Sequence, residues 1–153
     1  MNPPVLTSSQ MLALQSMTDM AGQNGWQGET VVVEGTLVYQ VPLPEDPDVC
    51  GAFFAVDADE FNIRLYLTLP FSVPSARIGE ASEFVILNGY GRKYGSLEFD
   101  LDQGTLRVRM DTDASEDTVA AATVRLFDRA MALAREVSPG WRHLCGEPSH
   151  QVA

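Results

Sequence analysis

Two short runs of alternating apolar and charged residues, separated by Gln103-Gly104, constrain the fold of this chain more than any other sequence feature. The runs are Leu97–Leu101 and Leu106–Met110. Alternation with a period of two places apolar side chains on one face of a β-strand and charged side chains on the other. A two-residue turn at Gln103-Gly104 joins such strands as an antiparallel hairpin. The sequence therefore predicts an antiparallel sheet with one buried face.

The same turn predicts how residues pair across this hairpin. Residues that face each other then match in chemistry on both faces. The expected pairs are Leu101 with Leu106, Phe99 with Val108, Leu97 with Met110, Asp100 with Arg107 and Glu98 with Arg109. Such matching specifies a register, because a slip of one residue would move every side chain to the opposite face.

Helical and strand patterns on both sides of the hairpin complete the predicted architecture. The sequence predicts a helix over residues 8–22 capped by Ser8 or Ser9, and a long strand over 30–41 with a bulge or bend at Gly35. Strands over 51–56 and 61–69 and a helix over 75–88 follow. The last predicted helix runs from a capping box at Asp113 and Glu116 to a break at Ser138-Pro139-Gly140. The order helix-strand-strand-strand-helix-strand-strand-helix predicts an α+β fold in which an antiparallel sheet packs against helices. We expect one domain over residues 1–153, with an ordered core over about 8–144.

Acidic residues outnumber basic residues in this chain by about two to one. It contains 21 Asp and Glu against 10 Lys and Arg, a formal net charge of −11. Residues 1–63 contain nine of the acids and no Lys or Arg, so they carry −9 of this charge. This balance argues against binding to nucleic-acid phosphates or anionic lipids, which both require a basic surface. The acidic first portion instead predicts a basic protein partner, attracted by electrostatic steering.

The cysteines and the start of the chain predict a cytoplasmic protein. The first residues lack the basic segment and apolar core of a secretory signal. The longest apolar run with glycine allowed, Val49–Val56, has eight residues, whereas a membrane-spanning helix needs about 20. Cys50 and Cys145 lack the spacing of a metal site, and a disulfide between them is not expected in a reducing compartment.

The sequence assembles no catalytic, metal or cofactor site, so we expect a non-enzymatic protein without a cofactor. Its histidines, His143 and His150, both lie near the C-terminus, whereas a catalytic histidine needs a rigid site and an orienting partner. The segment Asp57–Glu60 is not followed by the glycine and final carboxylate of an EF-hand calcium loop. Binding or catalysis at a small molecule by the carboxylates of this segment remains an alternative.

A glycine-rich segment, Gly89–Gly95, contains Arg92, Lys93 and two tyrosines and has the composition of a phosphate-binding loop. Phosphate-binding glycines lead into a helix N-terminus, but these glycines follow a predicted helix and precede a strand. The segment is therefore interpreted as a helix end and the start of a strand. Because Arg92-Lys93 is the only adjacent pair of bases, direct nucleic-acid binding is a further alternative that the sequence does not favour.

The first helix and the acidic loop that follows the first strand are the candidate partner-binding segments. Flexible methionine side chains suit partners of varied shape, although methionine in a first helix also fills cores. The candidate residues are Met11, Leu14, Met17 and Met20 of the helix, with Glu45, Asp46 and Asp48 of the loop.

The order of elements, with Leu87-Asn88 closing the middle helix, resembles the YbjN family, whose fold is shared with type III secretion chaperones. In that family a Leu-Asn step ends the middle helix, and a basic stretch with an aromatic residue leads into a hairpin that ends in an acidic turn. The matching residues are Leu87-Asn88, Arg92–Gly95 and Asp111–Asp113. The second Asn often present in the family is replaced by glycines here.

This resemblance implies a bacterial, non-enzymatic protein, usually dimeric, of a family described as sensory-transduction regulators. Chaperones of this fold present sheet and helix surfaces to an extended client segment. The chain is therefore expected to be a homodimeric, chaperone-like adaptor or regulator. Its expected partner is a basic protein, for example one that handles nucleic acid.

Overall fold

Six strands form one antiparallel sheet in the order β1-β2-β3-β4-β6-β5 in the computed structural model, which describes residues 5–146. The elements are α1 (Ser8–Gln23), β1 (Glu29–Val33), β2 (Thr36–Pro42), β3 (Gly51–Val56), β4 (Asn62–Ser72), a 3-10 turn (Ser75–Arg77), α2 (Ile78–Gly89), β5 (Ser96–Asp100), β6 (Thr105–Asp113) and α3 (Val119–Leu144). The predicted α+β fold with an antiparallel sheet packed against helices is confirmed. Within the described residues, no helix is long and apolar enough to cross a membrane.

The sheet has a buried inner face and an outer face open to solvent. The inner-face side chains are Leu37, Tyr39, Val41, Ala52, Phe54, Val56, Ile63, Leu65, Leu67, Leu69, Leu106, Val108 and Met110, all buried. They alternate along each strand and meet in register across the sheet. Helices α1 and α3 pack on this face, and α2 packs against β5 and α3.

The long strand predicted over residues 30–41 is wrong, because these residues form the hairpin of β1 and β2. Glu34 and Gly35 make its turn, with φ of 51° and 83°, and Val33 pairs with Thr36 across it. Positive φ at both central residues matches the type I′ turn, which suits the twist of paired strands. Glutamate is uncommon at positive φ, so Glu34 gives no local signal of this turn, and Gly35 alone predicts only a bulge or bend.

The predicted hairpin of β5 and β6 exists, but its predicted register is wrong. Residues 101–104 form the turn, with φ of 69° at Gly104. The carboxylate of Asp100 accepts the amides of residues 102 and 103 at 2.9 and 3.0 Å. Glu98 therefore faces Arg107 and not Arg109. Because the displacement is an even number of residues, every side chain keeps its predicted face except Leu101, which lies in the turn and is 63% exposed.

The predicted starts of α1 and α3 also differ from the structure. The Oγ1 atom of Thr7, rather than Ser8 or Ser9, accepts the Gln10 amide at 3.2 Å and completes a capping box. Asp113 does not cap α3, because β6 extends through it and α3 begins after Thr118. Pairing of Asp113 with Asn62 of β4 holds this residue in the sheet.

Helix α3 continues through the predicted break at Ser138-Pro139-Gly140 and ends at Leu144. Pro139 lacks the amide that would bond the carbonyl of Arg135, four residues earlier. Arg135 is an exposed residue. Ser138, Trp141 and Leu144 extend the buried stripe of the helix. Packing of this stripe therefore outweighs the local preference of proline and glycine.

Candidate protein-binding surfaces

β1 forms one edge of the sheet and exposes apolar side chains. Val31 and Val33 are 43% and 54% exposed and lie on the outer face with the half-buried Val38. Val32 points to the inner face and packs partly against the core. All residues from Thr30 to Val33 are β-branched and favour extended backbone.

The backbone of β1 offers hydrogen-bonding groups away from the sheet. Across a two-residue turn, the pair next to the turn exchanges hydrogen bonds, and bonded pairs then alternate along the hairpin. Val33 and Thr36 are that pair, so the amides and carbonyls of Thr30 and Val32 point away from β2. This free edge is a template for another strand.

The centre of the outer face is instead covered by a matched group of aromatic and charged side chains. Phe53 and Tyr66 stack with ring centroids 4.6 Å apart. The Arg107 guanidinium lies 4.2 Å from the Tyr66 ring centroid, and its Nε donates to Glu98 at 2.6 Å. A hydrogen bond with Tyr66 raises the pKa of Arg109. The charged and aromatic groups of these side chains contact one another. The apolar surface of the outer face that lacks such contacts therefore lies toward β1.

Acidic side chains gather at one end of the sheet, which we call the acidic end. The β1–β2 turn, the β3–β4 turn and the β6–α3 connection meet there. The acids of this end are Glu34, Asp57, Asp59, Glu60, Asp111, Asp113, Glu116 and Asp117. Within the part of the chain that the structure describes, they form no group placed to hold a metal ion. The acidic surface therefore combines residues from both halves of the sequence.

Asp57, the first residue of the predicted carboxylate alternative, is already engaged at the acidic end. One oxygen accepts the Thr36 hydroxyl at 2.7 Å and pairs with Arg64 at 3.0 Å. These contacts fix the β3–β4 turn against β2 and β4. They give Asp57 a structural role, and no observation here favours binding or catalysis at a small molecule.

The acidic loop between β2 and β3 is held against α3. Arg135 contacts Asp46 at 3.0 Å and Asp48 at 2.8 Å, and Arg142 lies 3.7 Å from Asp48. Asp46 also accepts the amides of Asp48 and Val49. Of the candidate acids, Asp46 and Asp48 thus form ion pairs with arginines of α3, whereas Glu45 is exposed.

Acid is expected to weaken this loop contact. Burial alone would raise the pKa of Asp46, but the Asp48 amide, Arg135 and the Val49 amide together hold the pKa below 3.8. A carboxyl whose pKa is lower in the folded state stabilises the fold above about pH 4, and this stabilisation is lost as pH falls. Urea unfolding at neutral pH and at about pH 3 should show a smaller acid-induced loss for Asp46→Asn than for the unaltered chain. Equal losses would contradict this assignment.

The first-helix candidates divide between the core and the surface. Met17 and Met20 are 0% and 6% exposed, so the structure contradicts their predicted contact with a partner. Leu14 packs partly against the core, and Met11 is 60% exposed. Buried Gln10 anchors the helix by donating to the carbonyls of Gly35 and Val56 at 2.8 and 2.9 Å. The methionines at these two positions therefore fill the core.

Comparison with known structures identifies a chain of similar fold. A chain of the HopA1–SchA chaperone–effector complex has a TM-score of 0.52 and 19% identity, covering 92% of this chain and 99% of that chain. At this identity the similarity establishes the fold, which confirms the expected chaperone-like architecture. A chain of the ExsC–ExsE complex has a TM-score of 0.32 and 11% identity, covering 86% of this chain and 96% of that chain. No family model and no curated protein match the sequence, and the YbjN resemblance stays a prediction.

Proposed function

We propose that this chain is a non-enzymatic, chaperone-like adaptor that binds an extended segment of a client protein as an added strand on β1. The free edge of β1 carries this proposal, because the amides of Thr30 and Val32 point away from β2. Added strands gain affinity from main-chain hydrogen bonds and specificity from alternating side chains. The fold shared with a chain of the HopA1–SchA chaperone–effector complex supports the proposal.

β1 lacks the features that usually protect an exposed edge. Lysine, proline, bulges or a covering element prevent unwanted pairing in many sheets. Thr30–Val33 contains no lysine or proline, and its pairing with β2 is regular. The opposite edge strand, β5, differs because α2 packs against it. This contrast favours β1 as the docking edge, with exposed Met11 and Glu45 as further candidate contacts.

The client segment that we propose is basic. Glu34 of the acidic end lies in the turn directly after β1, and the whole chain carries a net charge of −11. A positively charged segment would be steered to this edge, and its association would slow as salt screens the attraction. We also propose a cytoplasmic location.

The test is affinity purification from the native organism with the full chain as bait. We expect a basic protein to be retained at low salt and partly released at moderate salt. Mass spectrometry then identifies the retained protein. An unrelated acidic protein of matched net charge serves as the control. Failure to recover any protein above this control at either salt concentration would contradict the proposed function.

We also propose that the adaptor is a homodimer. Ile86 and Leu87 on α2 are 70% and 66% exposed, and such neighbouring apolar side chains favour a protein contact. Light scattering should give twice the single-chain mass of 16.7 kDa. Ile86→Glu should return the mass to one chain, because a buried charge opposes association. Leu101→Glu is the control, because Leu101 is a turn residue that is 63% exposed, and this variant should remain a dimer. A single-chain mass for the unaltered protein would refute dimerisation.

A further inference from the structure

A second surface of different chemistry lies on the helical side of the sheet. The end of α2, residues 90–95 and the middle of α3 border an open cleft of about 520 Å³. The exposed apolar and aromatic side chains of its lining are Leu87 and Tyr90, which are 66% and 89% exposed, and the core residues Met110 and Leu133 also border it. The glycine-rich segment that the sequence interpretation assigned only to a helix end and the start of a strand therefore forms one wall of this cleft.

Two cations flank one aromatic ring in this cleft. The Arg129 guanidinium carbon lies 4.1 Å from the Tyr94 ring centroid, and the Lys93 Nζ atom lies 5.3 Å from it. Neither side chain has an ion-pair partner within residues 5–146, whereas neighbouring Arg92 pairs with Glu136 at 2.6 Å. The cleft therefore presents positive charge that no acid of the described chain neutralises.

This unneutralised charge is unusual in so acidic a protein. The bases with an acidic partner elsewhere are Arg64, Arg77, Arg107, Arg109, Arg135 and Arg142. The described bases without one are Lys93, Arg125 and Arg129, and the two arginines are one turn apart on α3. Two of these three bases, Lys93 and Arg129, thus line a cleft that also has an apolar lining.

We propose that this cleft binds an acidic peptide segment of a protein partner, with its carboxylates on Lys93 and Arg129 and an apolar side chain against Leu87 and Tyr90. Charge-assisted hydrogen bonds from Arg and Lys are the usual means of recognising acidic motifs. A nucleic acid would bring a long run of phosphates against a net charge of −11. A short acidic segment avoids most of this repulsion, because charges beyond about 8–10 Å are screened at physiological salt.

The proposed cleft is separate from the β1 edge and borders the proposed dimer contact, since Leu87 is part of its lining. It adds a second binding activity of opposite charge preference to the proposed adaptor. The cleft would recognise an acidic segment, whereas the β1 edge would recognise a basic one. A client carrying both kinds of segment would contact both surfaces of the same chain. Binding at the cleft does not depend on binding at β1, and each is tested on its own.

The cleft is tested by fluorescence anisotropy of a short labelled peptide that is composed of Glu, Leu and one Trp and is mixed with the full chain. We expect saturable binding that Arg129→Gln and Lys93→Gln each weaken by about tenfold, the loss of one charge-assisted contact. Arg125→Gln is the matched control, since it removes the same charge one helical turn away outside the cleft lining. It should weaken binding by less than about threefold, because only its screened field reaches the site.

Several outcomes would overturn this inference. The absence of saturable binding would do so, as would equal affinity for a peptide with Lys in place of Glu. Equal weakening of binding by Arg125→Gln and Arg129→Gln would also overturn it, and so would tighter binding of a single-stranded oligonucleotide than of the acidic peptide. A fall in molar mass caused by Arg129→Gln in light scattering would assign the cleft to a second copy of the chain and would also overturn it. Unchanged thermal unfolding of the variants shows that the fold is intact.

Discussion

Replacing Trp141 with alanine is expected to lower the free energy of unfolding by about 3–5 kcal/mol, the usual cost of removing a large buried aromatic side chain. Trp141 is fully buried near the end of α3. Its ring lies 5.6 Å from that of Phe99 on β5 and 6.0 Å from that of Phe84 on α2. One side chain thus joins three elements, and its loss removes a large part of a typical domain stability of about 5–15 kcal/mol.

Trp141→Phe separates packing from hydrogen bonding at the same position. The indole Nε1 of Trp141 donates to the Phe71 carbonyl at 2.9 Å. Phenylalanine keeps most of the ring contacts but leaves that carbonyl unpaired, at a cost of about 1–3 kcal/mol. Urea unfolding of both variants should therefore rank unaltered protein, Trp141→Phe and Trp141→Ala in decreasing stability. An alanine variant as stable as the unaltered protein would contradict this account of α3.

Replacing Thr30 with proline is expected to weaken client binding by about tenfold or more, because the amide that would pair with the added strand is removed and the ring obstructs its approach. Thr30 is exposed, and its amide points away from β2, so no ladder hydrogen bond of the chain is lost. Proline is tolerated on edge strands for this reason. Affinity purification with the variant as bait should recover little of the client that the unaltered chain retains.

Thr30→Ala is the matched control for that experiment. Alanine removes the threonine side chain but keeps the outward-pointing amide, so it should retain the client. Thermal unfolding of both variants should lie close to that of the unaltered chain, which separates lost binding from lost folding. Equal retention by Thr30→Pro and Thr30→Ala would contradict strand addition at β1.

The parts of the fold predicted correctly from the sequence are those in which one residue pattern decides the structure. Alternation in β4 and the β5–β6 hairpin identified the buried face, because a period of two places alternate residues on opposite faces and only one of these faces is apolar. The helical stripe of α3 was identified in the same way. Patterns of this kind report on burial directly, so tertiary packing reinforces them.

The errors arose where local turn chemistry or packing decided the outcome. Gly35 was predicted as a bulge or bend, whereas Glu34 and Gly35 both adopt positive φ and make a turn, although glutamate rarely does so. Gly104 was placed in a two-residue turn, although Asp100 organises a longer one through its carboxylate. Pro139 was expected to end α3, but burial of Trp141 continues the helix beyond it. Each depends on contacts that no short sequence window contains.

The candidate surfaces were only partly predictable for the same reason. The excess of acid was evident from the sequence, but its pairing was not: Arg135 neutralises Asp46 and Asp48 from almost the other end of the chain. The free edge of β1 was missed because the hairpin was missed. The available signal was Gly35, which lies between two segments rich in β-branched residues. Interpreting it as a turn would have identified Thr30–Val33 as a separate strand.

Hydrogen exchange of the β1 amides, measured with and without the captured client, tests the central claim most directly. The outward amides of Thr30 and Val32 should exchange rapidly in the chain alone, since no strand covers them. In the complex both should become strongly protected, while the amides of Val31 and Val33, already bonded to β2, should change little. Protection that appears elsewhere and leaves Thr30 and Val32 exchanging rapidly in the complex would contradict strand addition on β1.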